Sequence, residues 1–328
     1  MSAIPDFLAQ AGWGAARRAP LAGDASARRY ERLHLDGRSA VLMVAPPGAE
    51  FRRFAEIDDW LRARGYSAPE ILATEADAGL MLLEDLGDDL LSALLARSPA
   101  REAELYGHVT DFLLDLHRHA PPGFVPPLDG PALGALVALT ADWAPGDPAA
   151  AAALPGQIAD LFAAQEALPP VLCLRDFHAQ NALWLPQRLG SARLGLLDFQ
   201  DAVAGHPAYD LVSALQDVRR DVSPKVEALA RQAYCAARGL DPLSFGAAYA
   251  LLGAQRALRI HGVFARLCLA MGKAAYVDLM PRNWRNLERN LAHPALADLA
   301  RAIRAAYPPP DAPMMEGLKR ACGTRPTL

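Results

Sequence analysis

Apolar residues fall into short strand-like runs and one helical stripe in the first quarter, then follow three- and four-residue spacing for most of the rest. Residues 28–35 and 39–45 carry strand-like runs, and Asp36-Gly37 sits between them. An Asp-Gly pair between apolar runs is a strong hairpin signal, because the tight turn needs positive φ at both central positions. Pro46-Pro47-Gly48 ends the second strand. Ahead of this hairpin, residues 5–18 predict a short amphipathic helix, and Gly23-Asp24-Ala25-Ser26 a turn. Behind it, Phe51, Phe54, Ile57 or Asp58, and Leu61 have the spacing of one helix face over residues 50–64, with Gly65 as C-cap. Residues 80–83 predict a short buried strand, broken by the turn residues from Glu84 to Asp89.

After Gly87 the pattern turns helical, over residues 90–96, 102–119, 131–142 and 148–168. Residues 121–127 form a proline-rich linker, and two short β runs, 171–174 and 193–197, flank a polar loop. Residues 207 to about 307 are nearly all helical in pattern; Pro308-Pro309-Pro310 stops them, and the last eighteen residues are expected to be loose. These elements predict an α+β chain, with a small β-rich lobe over residues 1–86 and a large helical lobe over 87–328.

Composition narrows the function classes. With 328 residues and 52% hydrophobic content, the chain can bury a sizeable core. A net charge of −4 points to neither nucleic acid nor an anionic membrane as the main partner. No uncharged stretch approaches the ~18 apolar residues of a membrane span. Cys173, Cys235, Cys268 and Cys322 are scattered without metal-ligand spacing. The N-terminus lacks the basic and apolar regions of a signal peptide. A soluble cytoplasmic protein is expected, with no prediction of oligomeric state.

The candidate chemistry lies in Leu174-Arg175-Asp176-Phe177-His178-Ala179-Gln180-Asn181 and in Leu197-Asp198-Phe199-Gln200-Asp201. An Asp, an Asn five residues later and a second Asp after an apolar run is a layout used for phosphoryl transfer. Asp176 can deprotonate an attacking hydroxyl. Asn181 and Asp198 offer the hard oxygens that Mg²⁺ prefers.

Together with the order of the elements, these motifs resemble the aminoglycoside phosphotransferase and choline kinase superfamily, which has a protein-kinase-like bilobal fold. Asp176, His178 and Asn181 match its catalytic loop. Leu197-Asp198-Phe199 matches its metal motif, and Tyr209-Asp210-Leu211 a later segment. The branch of bacterial N-acetylmuramate/N-acetylglucosamine kinases is similar over nearly the whole chain. The similarity includes residues 23–30, Val44-Ala45-Pro46-Pro47, residues 198–202, Gly205-His206-Pro207 and Asn290-Leu291-Ala292-His293-Pro294.

The resemblance implies ATP and Mg²⁺ as cofactors and a small-molecule sugar as substrate. It implies Asp176 as base and Asn181 and Asp198 as metal ligands. His178, Asp201 and His206 become substrate candidates, each with a loop-structural role as the alternative. Asp210 is expected to tie down the catalytic loop's backbone. Gly23 and Ser26 would meet phosphates, and Glu84 to Leu86 would form the adenine-binding hinge.

One departure stands out. The strand position where this fold carries a phosphate-binding lysine is Met43, and no lysine occurs in the first two hundred residues. Arg28 or Arg29 is the natural substitute, and Glu56 the expected carboxylate partner, with a place on a solvated helix face as its alternative. Gln200, where protein kinases carry Gly, argues against a mobile activation segment and a protein substrate. Competing readings are an aminoglycoside or choline-type kinase, an inactive nucleotide-binding scaffold, and a metal hydrolase using Asp176, His178, Asp198 and His206.

Overall fold

In a computed structural model of the chain, residues 3–21, 28–165 and 167–325 are described. They form two compact units by internal packing. The first comprises Met1–Phe112 and Asp176–Ala202, the second Leu113–Arg175 and Val203–Leu328.

The first unit is built on an antiparallel sheet in the order β1-β2-β3-β5-β4. Its strands are β1 (Arg17–Pro20), β2 (Arg29–Leu35), β3 (Arg38–Val44), β4 (Ile71–Glu75) and β5 (Leu80–Glu84). Asp36 and Gly37 link β2 to β3 with φ of 48° and 75°. Both are positive, as the Asp-Gly signal requires. Helix α1 (Ala3–Gln10) covers one sheet face: Phe7, Leu8 and Trp13 cluster with Leu33, Ala40, Leu42, Leu80 and Leu82. Helix α2 (Ala49–Arg62) buries Phe51, Phe54, Ile57 and Leu61, the stripe read from the sequence. The unit also holds helix Leu91–Arg97 and a hairpin of Ala182–Trp184 with Leu194–Leu196.

Three expectations fail locally. The first helix stops at Gln10, and residues expected to extend it form β1, paired with β2 through Arg17↔His34 to Pro20↔Glu31. Gly12, at φ 77°, breaks the helix. The single helix expected over 148–168 is two, Pro148–Ala151 and Leu154–Ala163, because Pro155 lacks the amide a continuous helix needs. The C-terminal residues are not all loose: Asp311 caps Ala312–Arg320, its side chain accepting from the Met314 amide at 2.8 Å.

The second unit is largely helical. Its longest helix, Pro242–Leu269, is capped by Asp241 and buried along most of its length. A two-stranded ribbon of Val171–Cys173 with Val203–Gly205 delivers the chain to the candidate catalytic loop. Among the described residues no helix is long and apolar enough to cross a membrane.

One buried group in the first unit makes a pH prediction. Asp58 on α2 is fully buried, and neither carboxylate oxygen has a hydrogen-bond partner among the described residues. Burial pushes its pKa from 3.8 to about 7; Asp59, Glu84 and Glu70 add to the rise and Arg62 opposes it. The unfolded chain releases this proton near its ordinary value, while the folded chain holds it to about 7. Stability therefore falls as pH rises through that window. An asparagine in its place would keep the shape without a proton to lose. Asp58→Asn should gain Tm over wild type between about pH 5 and about pH 8, by ~2–4 °C per kcal/mol relieved. Equal Tm differences in melts at both pH values would contradict this.

Candidate active site

The approach to Asp176 is clamped within the second unit. Asp210, fully buried on helix Ala208–Leu215, accepts from the Leu174 amide at 2.5 Å and the Arg175 amide at 2.9 Å. This is the backbone-tying role expected of it. Charge-assisted bonds of this kind are roughly twice as strong as neutral ones. The Arg175 carbonyl accepts from Ser213 Oγ at 3.1 Å and from Arg256 Nη1 at 2.9 Å. Arg175 itself has φ 71°. A non-glycine residue held there costs on the order of 1–3 kcal/mol, and such strain concentrates at functional sites.

Beyond Arg175 the loop belongs to the first unit. Asn181 ties it together: Nδ2 donates to the Asp176 carbonyl at 2.9 Å and lies 3.5 Å from Asp198 Oδ2. The Leu197 amide donates to the Asn181 carbonyl at 3.0 Å, which holds the two loops side by side. Asp198 is the second strained residue, at φ 58°. Its Oδ1 accepts from Gln200 Nε2 at 2.8 Å. Phe199, between them, stacks on Phe54 of α2 with ring centroids 4.9 Å apart. The surrounding protein raises the Asp198 pKa first and the Asp176 carboxylate adds to it; Gln200 and Arg28 pull the other way. The Asp198 side chain nonetheless keeps 47% of its surface open.

With its nitrogen engaged, Asn181 leaves Oδ1 as an acceptor beside the Asp198 carboxylate. An all-oxygen donor set fits Mg²⁺, which usually takes one or two protein ligands and the rest from phosphate and water.

Arg28 also reaches this cluster. Its side chain is 5% exposed; Nη2 donates to Glu50 Oε1 at 2.5 Å, and Nη1 lies 3.6 Å from Asp198 Oδ1. Arg29 is exposed on β2. Glu56 is also exposed, and the carboxylate that meets Arg28 is Glu50, in the first turn of α2. Glu50 and Gln200 were not among the expected site residues. Gln200 was visible as a departure after Asp198-Phe199, whereas nothing local in the sequence signals Glu50.

The other candidates fall in different places. His178 is buried; its Nδ1 accepts from the Gln180 amide at 3.3 Å and its carbonyl from the Asn181 amide at 2.8 Å. The ring thus braces its own turn. Asp201 is exposed. His206, in the second unit, is buried, and its Nδ1 accepts from the Ala208 amide at 3.1 Å, capping the helix that carries Asp210. Burial holds its pKa down at about 4, so the ring is neutral near pH 7. Glu84 pairs with Arg188 at 2.5 Å. The turn after it is anchored by Arg32, which donates to Asp88 at 2.7 Å and Asp85 at 3.0 Å. The Leu86 amide and carbonyl make no hydrogen bond among the described residues. Gly23 and Ser26 lie outside the described residues.

Three comparisons bear on this arrangement. A profile of the phosphotransferase enzyme family matches residues 17–245. A curated N-acetylmuramate/N-acetylglucosamine kinase of Caulobacter vibrioides is 41% identical, over 89% of this chain and 93% of the relative. One of Pseudomonas aeruginosa is 32% identical, over 92% and 93%. Among solved structures, a choline/ethanolamine kinase family protein of Mesorhizobium loti is 16% identical with a TM-score of 0.62, covering 88% of this chain and 92% of its own. That likeness gives the protein-kinase-like α+β fold. With the family profile spanning most of the chain, and Asp176, Asn181 and Asp198 set in one bonded loop pair, this protein belongs to the phosphotransferase enzyme family.

Proposed function

We propose that this enzyme transfers the γ-phosphoryl group of ATP to the anomeric hydroxyl of N-acetylmuramate or N-acetylglucosamine. The observation that carries the acceptor is the 41% identity, over nearly the whole chain, to the Caulobacter enzyme of that name. Asp176 takes the proton of the acceptor hydroxyl as its oxygen bonds to phosphorus. The bond to the β-phosphate oxygen breaks, and ADP leaves. Bound Mg²⁺ would neutralise charge building on the phosphate oxygens, with Asn181 and Asp198 holding it. The chain's own task is mostly positioning: Asp210, Ser213 and Arg256 fix the peptide before Asp176, and Asn181 fixes its carbonyl. Residues 1–86 would supply the nucleotide's main contacts. The unengaged backbone of Leu86, after β5, suits an adenine edge. The bonding of His178 and His206 supports roles in loop and helix rather than on the sugar.

A coupled ADP-release assay with MgATP tests the acceptor. Turnover is expected with both N-acetyl sugars and not with kanamycin or choline. Turnover confined to kanamycin or choline would overturn the sugar reading and leave the family assignment intact.

A further inference from the structure

ATP and ADP bring several negative charges to a site that already holds the Asp176 and Asp198 carboxylates. Such a site needs a fixed cation besides any metal ion. The first 200 residues contain no lysine, and β3 carries Met43, fully buried, where a basic side chain could otherwise project.

The sheet register shows where the charge comes from instead. Successive strand residues point to opposite faces. Leu42 is in the cluster under α1, so Met43 faces away from α1. Tyr30 on β2 is the direct partner of Met43 and shares its face. The Arg28 guanidinium lies beside the Tyr30 side chain, donates to Glu50, and lies 3.6 Å from Asp198. A cation rooted just before β2 therefore reaches the Met43 face of the sheet. Its side chain is 5% exposed, while that of Glu50 is 67% exposed. A desolvated guanidinium is held at one end by a carboxylate in the first turn of α2, and its other end is directed at Asp198.

We infer that Arg28 is the phosphate-gripping cation of this enzyme and that Glu50 is its positioning residue, the pair replacing a strand lysine that this chain lacks. A forked guanidinium suits two phosphate oxygens at once and keeps N–H groups for Glu50. Glu50 fixes the fork, so Glu50 acts through Arg28. The inference rests on the reading of this site as nucleotide-binding, and deepens it.

Calorimetric titration with Mg·ADP and, separately, with adenosine tests it. Adenosine lacks the phosphates and reports the base and ribose contacts alone. Arg28→Ala is expected to weaken Mg·ADP by about 10–100-fold, the worth of a charge-assisted bond. Adenosine affinity should stay within about twofold. Arg28→Lys keeps the charge and loses the fork, so its loss should be intermediate. Glu50→Gln should weaken Mg·ADP by about 3–10-fold, again sparing adenosine. If Arg28→Ala does not fold, Arg28→Lys and Glu50→Gln carry the same contrast. Unchanged Mg·ADP affinity in folded Arg28 and Glu50 variants would overturn the inference. So would equal losses for ADP and adenosine, since they would mark a structural role. Failure of the wild-type enzyme to bind Mg·ADP would instead remove the nucleotide reading beneath it.

Discussion

Asp176→Asn should lower kcat by about 10²–10⁴-fold, the usual contribution of a positioned general base. Mg·ADP affinity should change by less than about twofold. The substitution keeps the size of the side chain and its capacity to accept a hydrogen bond, and removes only the ability to hold the acceptor's proton. The loop would remain in place, because its backbone is held by other groups. Asp210 holds the two amides before it and Asn181 holds its carbonyl. Phosphoryl transfer passes through a loose transition state, in which proton removal comes late. This places the expected loss toward the lower part of that range. Steady-state kinetics beside ADP titration checks the split. A large loss of ADP affinity would mean that Asp176 organises the nucleotide site instead.

Asp198→Asn should have the second large effect, with a different signature. Asn tolerates left-handed backbone better than most residues, so the φ of 58° at this position argues for Asn over Ala as the test. The change removes the one carboxylate among the two proposed metal ligands. It should abolish the tightening of ADP binding by Mg²⁺ and lower kcat/KM by about 10²–10³-fold. ADP titration with and without Mg²⁺ reads this directly. Undiminished metal dependence in the variant would place the ion elsewhere.

The elements that could be read from sequence were those fixed by short-range rules. The Asp36-Gly37 hairpin follows from φ sign, and the buried stripe of α2 from helical period. Asp176 and Asn181 were legible as neighbours because they lie five residues apart in one loop, and the Asp198 loop because its motif follows an apolar run in the layout of phosphoryl transfer. What could not be read depended on distant partners. β1 exists because Arg17–Pro20 finds β2, and its own residues give no alternating pattern. The choice of Glu50 over Glu56 is of the same kind. Six residues apart on one helix, the two side chains point roughly 120° apart, and only the position of Arg28 selects between them. Asp198's tie to Gln200 was within reach, since a single residue separates them, but an amide after Asp-Phe has many possible partners. A helix starting near residue 207 was expected, but only the bond from the Ala208 amide to His206 Nδ1 separates a cap from a substrate contact.

The most direct test of the proposed reaction is the identity of its product. Wild-type enzyme would be incubated with MgATP and N-acetylmuramate, then N-acetylglucosamine, and the product analysed by phosphorus NMR beside an Asp176→Asn control. One new phosphate resonance coupled to the anomeric proton is expected, a sugar 1-phosphate, growing with ADP and forming about a hundredfold or more slower in the control. Phosphate on any other hydroxyl, or a 1-phosphate formed at the wild-type rate by Asp176→Asn, would contradict it.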